Sequence, residues 1–505
     1  MELLNQKNQH RAKLSLRNSL TIAPLCVEGN LMLANLLCQG NHAHNALAHV
    51  ERAAPNIAPA RYHFERGKVQ RAAMDLTGAR ESFYQALKEA PDNALIAASL
   101  VGALEMAGHL KEAGEVCAAA RAKFPNYGDL RRQAAVIAAA QGDHAGAVEL
   151  LDDSAEGAPP LVPTELLDKG RALEKLGRYA EAWILWHQAK TTLREQFGHI
   201  YNAEQFARNF AGLRDASVPP RPNFVRPAPD LDSNPGPLFV CGYPRSGTTL
   251  TESIFAAHSA VVAGDELNSL IDVIEALPPA LKVRVPYPQA MLASSLGENA
   301  TVPEMLRDRY LKTAQERIGF KSRRRGAGGV TRPKPIFFTD KMPLNELHLP
   351  LIRMLFPAAP VFRLQRHPLD VMVSCMSNWL VHGGFYASSL EICAKHYRDV
   401  WELTKHHERQ FAAAGKPAFV TVRYESLAER PEENIPILIV AAGLDMEEAC
   451  KSPHRNNRTA RTLSYRQVQA PINRKGLGRW KNFREQLAPA VEILRPILEA
   501  EGYDF

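Results

Sequence analysis

A period of about 34 residues runs through the N-terminal third of the chain and limits its fold more than any other feature. Gly40, Gly108, Gly142 and Gly177 follow one another at multiples of this spacing, with Met74 in the missing place. Ala79, Ala113, Ala147 and Ala182 each lie five residues beyond these positions, and Pro55, Pro91, Pro125 and Pro159 recur at nearly the same interval. Small residues let two helices approach closely, a residue that tolerates a tight turn joins them, and proline stops the second helix. A single hairpin of this length cannot bury its apolar face alone, so stacked hairpins are expected. The expectation is an all-α solenoid over residues 24–213 behind an N-terminal extension, residues 1–23.

The phrases Leu176-Gly-Arg-Tyr-Ala-Glu-Ala-Trp183 and Ala107-Gly-His-Leu-Lys-Glu-Ala-Gly114 make this pattern resemble the tetratricopeptide repeat (TPR), in about five copies with a terminal helix near Glu204 to Leu213. The resemblance implies a concave face that holds a protein or peptide, or that serves self-association.

A chain of 505 residues exceeds what one core organises, so further domains are expected. Residues 214–236 are rich in proline without helical periodicity and read as an extended linker. The net charge of +7 suits an anionic ligand and is too diffuse to indicate nucleic acid. Seven cysteines without CxxC pairs fit a reducing compartment. The first twenty residues lack the apolar core of a secretion signal, and no later apolar run is long enough to span a bilayer. These features lead to the expectation of a cytoplasmic protein with no membrane span and no nucleic-acid partner.

Residues 237–505 read as an α/β domain of the P-loop type with a central parallel sheet. Leu238 to Cys241 has strand character and Leu250 opens a helical pattern, with Gly-Tyr-Pro-Arg-Ser-Gly-Thr-Thr between them. A glycine-rich turn between strand and helix presents backbone N–H groups and a helix N-terminus to an anion. Thr248 stands where a Walker loop has its phosphate-binding lysine, which argues against an ordinary ATPase or kinase and removes the usual magnesium arrangement, so no metal is expected. Arg245, Ser246, Gly247, Thr248 and Thr249 are the candidate anion contacts.

Four later segments supply partners. Gly264-Asp265-Glu266 turns after a short apolar run, where a carboxylate is either a general base or else a solvated turn acid or N-cap for the next helix. Lys341 closes the strand-like Ile336 to Lys341, placed to reach a site or to form a surface ion pair. Arg366 ends another buried strand, and Ser374, eight residues on, lies on the following helix, so guanidinium and hydroxyl can converge on one phosphate. Phe419 to Leu427 is read as a further strand, on which Tyr424 packs against the sheet or against a ligand. Two basic stretches remain: Arg307 to Arg325, read as a solvated loop or a lid, and Arg474, Lys475 and Arg479 in a glycine-containing loop ending at Trp480.

Pro-Arg-Ser-Gly-Thr-Thr followed by the Arg366/Ser374 pattern resembles the two nucleotide signatures of sulfotransferases that use 3′-phosphoadenosine-5′-phosphosulfate (PAPS). Within that superfamily the C-terminal half most resembles the tyrosylprotein sulfotransferases. The resemblance implies a sulfuryl donor whose 5′-phosphosulfate lies on the Arg245 loop, whose 3′-phosphate is gripped by Arg366 and Ser374, and whose nucleotide lies against Tyr424. It implies Glu266, twenty-one residues after Arg245, as catalytic base, with Lys341, Ser464 and Arg245 as the other catalytic groups. Ser464, Gln467, Arg474, Lys475 and Arg479 would complete the cofactor contacts. The chain departs from the group at Asn378, where a second arginine is expected, at Arg479, where lysine precedes the tryptophan, and after Glu266, where Leu267, Asn268 and Ser269 replace an arginine that binds acidic peptides. The expected reaction is sulfuryl transfer from PAPS to a hydroxyl, such as a protein or peptide tyrosine, with release of adenosine 3′,5′-bisphosphate. The alternatives are an inactive scaffold that keeps the nucleotide fold, or transfer to a small molecule or sugar.

Overall fold

The computed structural model describes residues 2–505 apart from 40–42, 126, 153–159, 199, 217–234, 294–300, 326–334, 381–384, 414, 416–417 and 457–469. The chain divides into two units, Met1–Leu193 and Arg194–Phe505.

The first unit is built from helical pairs: Val27–Gln39 with Ala43–Ala53, Pro59–Ala72 with Leu76–Glu89, Ala94–Met106 with Leu110–Lys123, Gly128–Ala140 with His144–Leu150, and Pro163–Lys175 with Tyr179–Phe197. The last four pairs turn at the residue that the period marks, and Gly40 lies outside the described residues. Gly108, Gly142 and Gly177 have φ of 82°, 93° and 78°, and Met74 takes the same left-handed conformation at 61°. The alanines five residues on are buried. Gly67 and Gly170 bring the paired helices together, since a Cβ there would lie 2.6 Å from the Phe83 ring and 2.4 Å from Trp186 Nε1. Bonds across one repeat spacing tie neighbouring pairs: Arg131 donates to Glu165 at 3.0 and 2.9 Å, and Arg132 to Asp168 at 2.7 Å. The segment read as an extension is itself the helix Glu2–Ile22, whose Leu16 and Leu20 pack on the core of the first pair.

The solenoid expected to reach residue 213 is shorter. Its unit ends at Leu193, within the last paired helix, and the helix Ala203–Asp215 belongs to the second unit. The physical reason is its aromatic face. Phe206 and Phe210 pack around His396 of the helix Leu390–Ala413, with ring centroids 5.5 and 5.7 Å away. Most of the expected linker lies outside the described residues, and Gly236 is already strand.

The second unit centres on an all-parallel sheet of five strands, β1 (Gly236–Gly242), β2 (Val261–Val262), β3 (Phe337–Lys341), β4 (Val361–Gln365) and β5 (Val420–Arg423), in the order β2-β3-β1-β4-β5. Alternate residues of β1 enter different cores: Phe239 and Cys241 pack with Tyr310, Phe338 and Phe356, whereas Leu238 and Val240 pack with Phe255, Phe362 and Ile439. Burial on both faces is why β1 reads as an unbroken apolar run. The register pairs Val240 with Lys341 and Gly242 with Leu364, so the carboxyl ends of β1, β3 and β4 open on one rim. In sheets of this topology that rim is where ligands bind.

Two sequence expectations change. The basic tract 307–325 is neither loop nor lid but part of the helix Thr301–Arg325, because Leu306, Tyr310, Ala314 and Ile318 recur at helical spacing and are buried. The strand expected to run to Leu427 stops at Arg423, and Tyr424–Glu429 is helical. Among the described residues no helix is long and apolar enough to cross a membrane, and all seven cysteines are free thiols.

Candidate active site

The loop after β1 is held in a conformation that few residues adopt unaided. Gly242, Arg245 and Gly247 have φ of 144°, 71° and 106°. For Arg245 this backbone costs about 1 kcal/mol or more, so its surroundings must impose it. They do so from both sides. Glu346 Oε2 accepts the Gly242 N–H at 2.9 Å, and burial raises the Glu346 carboxyl above its usual range. Arg366 Nη1 donates to the Arg245 carbonyl at 2.9 Å, and Arg245 Nε donates to Ser374 Oγ at 2.9 Å. The residues expected to grip phosphate from β4 and from the helix Pro368–Met376 thus meet the loop of β1.

Tyr424 closes this cluster. The Arg366 guanidinium lies 4.7 Å from the Tyr424 ring centroid, and its Nη2 donates to the Gly476 carbonyl. A Cβ on Gly247 would lie 2.4 Å from Tyr424 Cδ2, so only glycine leaves the loop and the ring in contact. Ser246, 1% exposed, has a hydroxyl with no hydrogen-bond partner among the described residues. A buried hydroxyl of that kind is costly unless a ligand completes it. Thr248 and Thr249 open the helix Thr248–Ala257, whose first turn directs N–H groups without intrahelical acceptors into the same space. The orphaned Ser246 hydroxyl, the left-handed loop and the Arg366/Ser374 pair fit a ligand with anionic oxygens.

A second cluster lies at the ends of β2 and β3. Lys341 Nζ donates to Glu266 Oε1 at 2.7 Å, and Lys341 is 0% exposed, which excludes a surface ion pair. The turn carrying Glu266 needs glycine, because a Cβ at Gly264 would lie 1.9 Å from the Thr339 carbonyl oxygen. Glu252, which sequence reasoning missed, fastens that turn: its Oε1 accepts from the Asp265 N–H at 2.9 Å and from Thr339 Oγ1 at 2.7 Å. The available signal was an acid inside an apolar helix. Arg317 was also misread. It is 7% exposed, and burial lowers its pKa against the opposing charges of Asp265, Glu266, Asp340 and Glu252. Its place on the buried Tyr310/Ala314/Ile318 stripe could have revealed it. Asp340 accepts from Tyr310 OH at 2.5 Å, and burial pushes its carboxyl up to about 7.

Three histidines that could compete with Glu266 for a proton, His258, His367 and His348, are engaged elsewhere. His258 Nδ1 accepts from the Ala260 N–H at 3.0 Å, and its Nε2 donates to the Asp445 carbonyl at 2.8 Å. His367 Nδ1 accepts from the Leu369 N–H at 3.2 Å, and its Nε2 donates to the Asp504 carbonyl at 2.9 Å. His348 bonds Tyr287 OH at 2.8 Å, and burial drives its pKa down to about 4. His382 lies outside the described residues, as do Ser464 and Gln467.

The basic loop is only partly gathered. Arg474 is exposed and donates to the Glu429 carbonyl at 2.9 Å, and Lys475 is exposed. Arg479 begins a short turn whose neighbours are fixed by Asp370, which accepts from the Gly478 and Trp480 N–H groups at 2.8 and 2.9 Å. Trp480 is buried, stacked on His367 at 5.0 Å. Asn378, in place of the expected arginine, donates to the Ser374 carbonyl at 2.8 Å.

Residues 237–448 match the model of the Sulfotransferase family. An uncharacterized protein of Aquifex aeolicus (strain VF5) is 30% identical over 266 residues, 51% of this chain and 32% of that protein. A protein-tyrosine sulfotransferase of Drosophila melanogaster is 25% identical over 276 residues, 53% of this chain and 51% of that protein. The match thus spans about a third and about half of these two relatives. Among solved structures, the sulfotransferase domain from the Synechococcus PCC 7002 olefin synthase is similar over 54% of this chain and 96% of its own, at 18% identity and a TM-score of 0.35.

Proposed function

From a C-terminal half that carries a Sulfotransferase-family domain, we propose that the protein transfers a sulfuryl group from PAPS to a hydroxyl acceptor, leaving adenosine 3′,5′-bisphosphate. The observation that supports this most is that two clusters lie on one rim of the sheet: Arg245, Arg366, Ser374 and Tyr424 beyond β1 and β4, and the ion pair of Glu266 and Lys341 at the ends of β2 and β3.

In this reading the loop residues Ser246 to Thr249 and the helix N-terminus bind the 5′-phosphosulfate, and Arg366 with Ser374 binds the 3′-phosphate. The acceptor oxygen forms a bond to sulfur as the bond from sulfur to the bridging phosphate oxygen breaks. The acceptor proton passes to the Glu266 carboxylate, and the electron pair of the broken bond leaves with the bisphosphate. Lys341, Arg245 and Ser464 offset the charge that gathers on the sulfuryl and bridging oxygens. Arg474, Lys475 and Arg479, together with Gln467, are the further nucleotide contacts in this reading. The acceptor class rests on weaker support: the name of the Drosophila relative and the repeat array both favour a protein or peptide hydroxyl, tyrosine first.

Isothermal titration with adenosine 3′,5′-bisphosphate tests the nucleotide half of the reading, which fails if no heat of binding appears up to millimolar ligand. Incubation with sulfur-labelled PAPS and a panel of peptides, phenols and sugars tests the rest. Label on peptide tyrosine is the expected result, label on sugars or phenols alone moves the acceptor class, and binding without transfer to any acceptor leaves a scaffold.

A further inference from the structure

Tyr243 is the first residue of the phosphate loop beyond β1, and it points away from the site into a buried aromatic box. Its hydroxyl lies 3.2 Å from His396 Nδ1 and 3.4 Å from the Cys393 carbonyl. Its ring packs on Tyr397 at 4.8 Å and Tyr386 at 5.9 Å. His396, 1% exposed, stacks on Tyr386 at 4.3 Å with the rings 6° apart. Burial holds its imidazole neutral, with the pKa driven down to about 3.

The remaining walls of the box come from the segment ahead of the catalytic domain. Tyr201 and Phe206 stack on each other at 4.5 Å and meet the His396 ring edge-on at 6.0 and 5.5 Å, and Phe210 meets it at 5.7 Å. Phe206 also stacks on Phe385 at 5.3 Å. The helix Ala203–Asp215 is fixed at its far end too, where a Cβ on Gly212 would lie 2.8 Å from Pro288 Cγ, and Arg214 pairs with Glu402 at 3.7 Å.

We propose that Tyr201, Phe206 and Phe210 act with His396 as positioning residues for the phosphate loop, so that the segment joining the repeat array to the catalytic domain is a working part of the nucleotide site. The proposal rests on the sulfotransferase reading only in naming the ligand. Arg245 holds an unfavourable left-handed backbone, and a loop under such strain keeps its shape only while both ends are pinned. Arg366 and Ser374 pin the far end through Arg245. Glu346 holds the near end at the Gly242 N–H and Tyr243 pins it at the side chain, where its anchor is the box.

Three full-length variants test this, none of them at a residue that touches the ligand. Phe206→Leu keeps an apolar side chain and loses the ring, Phe206→Tyr restores the ring, and Tyr243→Phe removes only the hydroxyl. Titration with adenosine 3′,5′-bisphosphate is expected to show binding about tenfold weaker for Phe206→Leu, wild-type affinity for Phe206→Tyr, and about five- to tenfold loss for Tyr243→Phe, since one net hydrogen bond is worth about that factor. The melting midpoints without ligand should stay close to wild type, which a merely structural defect would not allow. If wild type binds and either Phe206→Leu or Tyr243→Phe binds as tightly, the proposal is overturned. If wild type itself does not bind, the sulfotransferase reading has failed instead, and loop anchoring is then judged by hydrogen exchange at residues 243–249: faster exchange in both variants supports it, and unchanged exchange overturns it.

Discussion

The glycines of the two units answer to different demands. In the repeat array, Gly108, Gly142 and Gly177 have positive φ, and nothing lies within 4 Å of where a Cβ would be. In the second unit, a Cβ on Gly242, Gly247 or Gly264 would meet Leu364 O at 2.6 Å, Tyr424 at 2.4 Å and Thr339 O at 1.9 Å. The array asks the glycines at its hairpin turns for a backbone angle alone, and Met74 shows that another residue can supply it. The site asks all three for the absence of a side chain, because groups distant in sequence press on them, and asks Gly242 and Gly247 for an angle as well. Shape in the first unit is set by neighbours in the chain, and in the second by contacts between strands.

This difference predicts how far the effect of a substitution spreads. The largest effect belongs to the β2/β3 cluster. Glu266→Gln keeps shape and removes basicity, so kcat should fall by about 100-fold or more while affinity for adenosine 3′,5′-bisphosphate holds. Near-normal kcat in steady-state assays would mean that the two clusters do not work as one site. Next come Arg245→Ala and Arg366→Ala, each expected to weaken bisphosphate binding by about tenfold or more through loss of charge-assisted bonds. Arg366→Ala should be the worse of the two in calorimetry, because it also releases the Arg245 and Gly476 carbonyls and the Tyr424 ring.

A smaller effect is read in pH dependence. Burial raises the Asp340 carboxyl from an ordinary 3.8 to about 7, so between those values the folded protein holds a proton that the unfolded chain has lost. That contribution to stability is complete below the ordinary value and is lost as pH rises toward 7. Asp340→Asn cannot titrate, so the urea midpoint of wild type relative to this variant should fall over that window and level off above it. The smallest effects lie in the array: Gly142→Ala should cost about 1 kcal/mol, and Met74→Gly should gain about 0.5 kcal/mol, strain relief being partly offset by a more flexible unfolded chain. Neither should alter bisphosphate binding, and a change in binding would break the contrast between local and spreading defects.

The same contrast explains what could be read from residues alone. The hairpin turns, the loop after β1, the meeting of Arg366 and Ser374 on Arg245 and the strand-end placement of Lys341 all start from local patterns, and the fold contains them. What escaped notice depends on partners distant in sequence. Arg317 looked like one more charge in a basic run, and its burial follows only once Tyr310 and Ala314 are seen to face the sheet. Glu252 is fixed by Asp265 and Thr339, which no spacing rule links to it. The helix Ala203–Asp215 was assigned to the repeats because its pattern is helical like theirs. Its allegiance is decided by His396, far along the chain.

The order of the sheet carries a consequence for solubility. Among the described residues its two outer strands are its shortest, two residues in β2 and four in β5, and the longest, β1, is at the centre. Unpaired N–H and C=O groups along a sheet margin are templates on which another chain can add a strand, and a margin this brief gives an incoming strand few bonds to form. The sheet therefore keeps its most adhesive backbone in the middle and resists growing into a fibre through its edges.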